Sequence, residues 1–114
     1  MDAISSVLIN KALDGLTARY AATAENIANA NSRAYRPVRV SFEESLRAAA
    51  RSGPEAVRAV TPRIETVAPQ GSETEVRLDL ELATAVETSN RYAALIDLLG
   101  RQMQITRTII RGGQ

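Results

Sequence analysis

LDLELATAVETSNRYAALIDLLGRQMQITRTII, residues 78–110, runs for more than thirty residues without a proline, and its apolar positions keep one period throughout. Leu78, Leu82, Ala85, Ser89, Tyr92, Ile96, Leu99, Met103, Thr106 and Ile110 follow at alternating steps of four and three. That spacing draws a narrow stripe along a helix, and such a stripe calls for a partner helix. At about 1.5 Å per residue the helix would be about 50 Å long. The front of the chain has a matching stripe in Ile9, Leu13, Leu16, Tyr20, Thr23, Ile27 and Ala30. The expected fold is therefore all-α: two long terminal helices pairing as an antiparallel coiled coil, with a short extended segment and a mobile loop between them.

Composition supports a chain that completes itself by association. The 114 residues allow one small domain. Although 45% are apolar, many of these are alanine, and the aromatics are three Tyr and one Phe. So little bulk predicts a core that needs oligomerisation to become stable. Fourteen basic and thirteen acidic residues, interspersed, leave a net charge of +1 and give no footprint for nucleic acid. Lys11 is the only lysine, so arginine supplies the other positive charges. A GC-rich genome accounts for that bias, as does bidentate pairing with carboxylates at interfaces.

Four segments follow from the punctuation. Residues 1–31 form an N-terminal helix, from about Ile4 to Asn29, capped by Asp2 or Ser5 and interrupted only by Gly15. Residues 32–51 hold a turn, an extended stretch in which Val38, Val40 and Phe42 share a side, and a short helix. Ser41 and Glu44 have the spacing of a capping box for that helix, or else Glu43 and Glu44 are simply exposed. Residues 52–75 contain Pro54, Pro62, Pro69, Gly53 and Gly71, which predicts a flexible loop with at most a short strand around Ile64. Residues 76–114 form the C-terminal helix, with Asp79 or Thr74 as its cap and Gly112-Gly113 at its end.

Catalytic chemistry is not expected. Without cysteine or histidine there is neither a thiolate nucleophile nor the usual zinc ligands. The acidic pairs Glu43/Glu44, Glu73/Glu75 and Asp79/Glu81 diverge on a helix or lie in the loop, and no glycine-rich phosphate loop opens a helix. No catalytic, cofactor or metal site is assigned, and no small-molecule substrate is expected. No stretch reaches the length of a membrane span, and the first residues lack the basic and apolar regions of a cleaved signal.

Asn26-Ile27-Ala28-Asn29-Ala30, followed by Tyr35 and then by Phe42 at the opening of a short helix, resembles the signature of the flagellar axial proteins. In that superfamily a long N-terminal helix ends in Asn-Ile-Ala-Asn-Ala, then a turn and a strand follow. Val76-Arg77-Leu78-Asp79-Leu80-Glu81-Leu82, Asn90-Arg91-Tyr92-Ala93-Ala94-Leu95 and Thr108-Ile109-Ile110-Arg111-Gly112-Gly113 are similar to the C-terminal half of the proximal rod proteins of the basal body. The likeness covers both ends and lapses in the middle loop. One departure stands out: Arg33-Ala34 replaces a Pro-Gly pair in the turn. Either the turn has another backbone here, or it forms only within an assembly.

The resemblance implies a structural subunit of the bacterial flagellum, polymerising through its terminal helices into a rod that carries torque across the periplasm. It implies export through the flagellar type III apparatus without a cleaved signal, and absent cysteine suits the oxidising compartment. Implied partners are its own copies, other rod proteins and the adaptor between the membrane-embedded MS ring and the rod. The stripe residues Ile9, Leu13, Leu16, Tyr20, Ile27, Leu82, Tyr92, Ile96, Leu99, Met103 and Ile110 would form the subunit interfaces. Asn26 and Asn29 would bond either the turn backbone or a neighbouring subunit. The competing reading is a cytoplasmic helical adaptor, similar to an export chaperone, that binds a partner helix by the same stripes.

Overall fold

The computed structural model describes residues 2–67 and 76–112, an elongated molecule of 65 × 27 × 13 Å. Helix α1 spans Ala3–Ala28, strand β1 Val38–Ser41, helix α2 Glu43–Ser52, helix α3 Pro54–Arg58, strand β2 Arg63–Thr66 and helix α4 Leu78–Gly112. Asp2 caps α1, its Oδ1 accepting from the Ser5 amide at 2.8 Å. The chain is mostly helical, and α4 packs along α1. Glu81, early in α4, meets Asn26 near the end of α1, whereas Ser6 shares a groove with Leu99, Met103 and Thr106. The two helices thus lie side by side in opposite directions.

The all-α expectation needs one correction. β1 and β2 form an antiparallel two-stranded sheet with Val38 opposite Thr66 and Val40 opposite Ile64. The loop expected over 52–75 is likewise structured as far as it is described, through α3 and β2; the remainder, residues 68–75, lies outside the described residues and takes Thr74, Glu73 and Glu75 with it. Prolines here punctuate instead of loosening. Gly53 takes φ +116°, a conformation costly for any residue with a Cβ, and so turns the chain sharply from α2. Pro54 then occupies the first turn of α3, where its missing N–H is no loss.

This middle excursion, more than the helix pair, builds the core. Leu16 and Ala22 of α1 pack with Val40, Phe42, Leu46 and Val57. Leu95, half-buried, is the apolar residue that α4 adds to this cluster. Gly15 is what lets Phe42 lie against α1. A Cβ on residue 15 would fall 2.5 Å from the Phe42 ring, closer than any real carbon contact.

Two further expectations change. No capping box forms, since α2 begins at Glu43 without a side-chain cap and Glu44 pairs with Arg47 at 3.2 Å. The turn after α1 forms within the single chain, through successive bonds from Ser32 N to Asn29 O and from Tyr35 N to Ser32 O. No residue other than glycine has a positive φ among the described residues. Arg33-Ala34 is therefore accommodated by a different backbone, in no need of the glycine it replaces.

Candidate assembly surface

Two side chains at the junction of α1, β1 and α4 are almost wholly buried and polar. Asn26, 0% exposed, uses both amide hydrogens and both carbonyl lone pairs. Its Nδ2 donates to Val38 O at 3.0 Å and to Glu81 Oε2 at 3.1 Å. Its Oδ1 accepts from the Val38 amide at 2.8 Å and from the Tyr35 hydroxyl at 2.6 Å. Glu81, 2% exposed, also pairs with Arg39 across 2.8 Å. A charge without partners would be expelled from such a site. Burial pushes the Tyr35 phenol above its usual pKa, and the nearby Glu25 and Glu81 carboxylates add to the shift.

Of the Asn-Ile-Ala-Asn-Ala residues, Asn26 thus bonds the extended segment and α4 of its own chain. Asn29 donates only to Glu25 O, one turn back in its helix, at 2.9 Å. Ile27 and Ala30 are half-buried, while Ala28 is exposed. Tyr35 is half-buried against Asn26.

A second ionic junction joins α1, α2 and α4. Arg19 grips Glu43 with both terminal nitrogens, at 2.6 and 2.7 Å, and donates to Val40 O at 2.8 Å. Its guanidinium lies 4.8 Å from the Phe42 ring centre. The Arg19 bond holds the Glu43 carboxyl down to about 2, against an ordinary 4.5. Arg91 of α4 approaches the same carboxylate at 3.6 Å. Arg19, Arg39 and Arg91 thus serve joints within this chain.

The stripes divide between the inside and the outside. In α1, Ile9, Leu16 and Thr23 are buried and Leu13 and Ile27 half-buried, while Tyr20 is half exposed. In α4 the face turned inward is Glu81, Ala85, Thr88, Leu95, Leu99 and Gln102. With Tyr92 between Thr88 and Leu95, these positions alternate by four and three as the expected stripe does, but Glu81, Thr88, Leu95 and Gln102 sit one residue earlier. The offset has a physical origin: Asn26 can satisfy Glu81, and a leucine in its place would leave the Asn26 amide without an acceptor. Leu82, Tyr92, Ile96, Met103 and Ile110, expected at interfaces, are 38% to 61% exposed.

Helix α4 accordingly carries two seams that share Ala85, Tyr92 and Leu99. One faces α1. The other, through Leu82, Ile96, Met103 and Ile110, stays about half exposed among the described residues, with Met103 also edging the groove beside Ser6, and Val86 and Ile109 beside it are exposed as well. Exposed apolar side chains at this spacing are of the kind that a partner helix can cover. Sequence reasoning missed Glu81 because it treated the residue as surface charge; its place in a four-three series with Ala85 and Thr88 was the available signal.

Among the described residues no group of three acidic side chains could hold a metal ion, and no helix is long and apolar enough to cross a membrane. No protein-family model matches this chain, and no curated protein matches its sequence.

Proposed function

We propose that this chain is a non-enzymatic structural subunit of the flagellar basal-body rod, of the proximal type, which assembles with copies of itself and with other rod proteins in the periplasm to transmit torque. The observation that carries the reading is the outward seam of α4, since Leu82, Ile96, Met103 and Ile110 are exposed in the single chain at coiled-coil spacing. The likeness of Asn26–Ala30, Tyr35 and the C-terminal segments to flagellar axial proteins supplies the identity of the assembly. In the assembled rod α1 and α4 pair as an antiparallel coiled coil through the inward seam, and the outward seam meets neighbouring subunits. The chain reaches the periplasm through the flagellar type III export apparatus and contacts the adaptor between the MS ring and the rod.

Deletion of the encoding gene, followed by complementation, tests the proposal. Loss of motility and of rods in the deletion strain, restored by the unaltered chain, is the expected result. A motile deletion strain with intact basal bodies would sink the reading in favour of a cytoplasmic helix-binding adaptor.

A further inference from the structure

Beside the core, α1 and α4 enclose an open apolar groove of about 410 Å³ between Tyr20 and Tyr92, floored by Leu16 and edged by the small residues Ala21, Ser89 and Ala93. Asp14 and Glu25 lie in the same row of α1 as Ala21, seven residues before it and four after, so they stand outside the groove, about 10 Å and about 6 Å along the axis on either side of Ala21. Both are exposed, and neither has an ion-pair partner among the described residues. At the far end of the molecule, α4 reaches the level where α1 begins. Thr106 and Arg107 flank Ser6, so Ile110 stands one turn further on and is 61% exposed. Arg107 and Arg111 bracket Ile110, and neither has an acidic partner among the described residues. No acid follows Asp97 in the sequence.

We infer that the groove between Tyr20 and Tyr92 receives Ile110 of a second copy of this chain, with that copy's Arg107 and Arg111 set against Asp14 and Glu25. The apolar knob matches an apolar hole of small edges, and unpaired acids face unpaired bases. Within one chain the contact is impossible. Ile110 lies eighteen residues beyond Tyr92 on the same continuous helix, about 27 Å away along its axis. The contact joins two different surfaces, so each copy can both give and receive it, and it propagates from copy to copy into a ring or an open line of subunits. This inference rests on the assembly reading above and names the surface that reading uses.

The absence of cysteine makes the test clean. Full-length Ile110→Cys and Ala21→Cys chains are mixed at high concentration and oxidised, with exposed Ser45→Cys on α2 as the comparison. A heterodimer of the Ile110→Cys and Ala21→Cys chains, at least about tenfold over either pairing with Ser45→Cys, is expected. A chain carrying both Ile110→Cys and Ala21→Cys should give a ladder of covalent oligomers. Reversing Asp14→Arg and Glu25→Arg should weaken cross-linking about fivefold, and adding Arg107→Glu and Arg111→Glu to the other chain should restore it. Sedimentation of the unsubstituted chain separates the two levels of failure. Self-association without the Ile110–Ala21 cross-link would overturn the groove and spare the assembly reading. A chain that stays monomeric and uncross-linked would count against both. Binding of the chain to anionic vesicles, without cross-links between copies, would overturn the inference and assign the basic end of α4 to a membrane surface.

Discussion

The amide of Asn26 donates to the carboxylate of Glu81 across 55 residues of sequence, and both side chains are shut away from water. Replacing Asn26 by alanine would strand the Val38 backbone pair, the Tyr35 hydroxyl and one oxygen of Glu81 at once. We expect Asn26→Ala to lower stability by about 2–4 kcal/mol, read as a shift in the urea midpoint. Asn29→Ala, whose side-chain amide bonds only Glu25 O of its own helix, should change it by no more than about 0.5 kcal/mol. Equal losses would remove the Asn26 junction from the account.

Gly15→Ala would ordinarily strengthen an exposed helix by about 1 kcal/mol. Here the added methyl meets the Phe42 ring, so a net loss of about 1–3 kcal/mol is expected. In a Phe42→Leu background the same change should cost less, because the ring is gone. Thermal denaturation of the two single variants and the double variant reads this coupling directly.

Acid should loosen the joint between Arg19 and Glu43. A carboxyl whose pKa is lowered by folding holds protons less readily in the folded chain than in the unfolded one. Its contribution is therefore full above about 4.5 and disappears as pH falls through about 2. The stability difference between the unaltered chain and Glu43→Gln should accordingly shrink across that window. A difference constant from neutral pH to pH 2 would contradict it.

The outward seam predicts a separation of folding from assembly. Leu82→Asp and Ile96→Asp replace exposed side chains, so the isolated chain should keep its stability within about 0.5 kcal/mol. Strains producing either variant should nonetheless lack rods and motility while still exporting the chain. Circular dichroism checks the first half and electron microscopy of basal bodies the second. Leu16→Asp, placed in the core, should instead unfold the chain.

Long-range periodicity made the two helices legible from sequence, because it sums over many residues and survives single exceptions. The inward face of α4 was not legible, because two four-three series overlap on Ala85, Tyr92 and Leu99 and only tertiary partners choose between them. The choice was made by Asn26 and Arg39, which can bury Glu81 and cannot be seen from α4 alone. The middle segment was misread for a related reason. Val40, Phe42 and Val57 look sparse along the chain, yet folding gathers them on α1 over Gly15, whose lack of a side chain was read as a weakness of the helix.

The central claim is that this chain is a building block of the rod. Mass spectrometry of detergent-purified hook–basal bodies from the source bacterium tests it most directly. The account predicts the chain in stoichiometric amounts, at several copies per basal body. Its absence from those particles, with the protein recovered from the cytoplasm, would contradict the account.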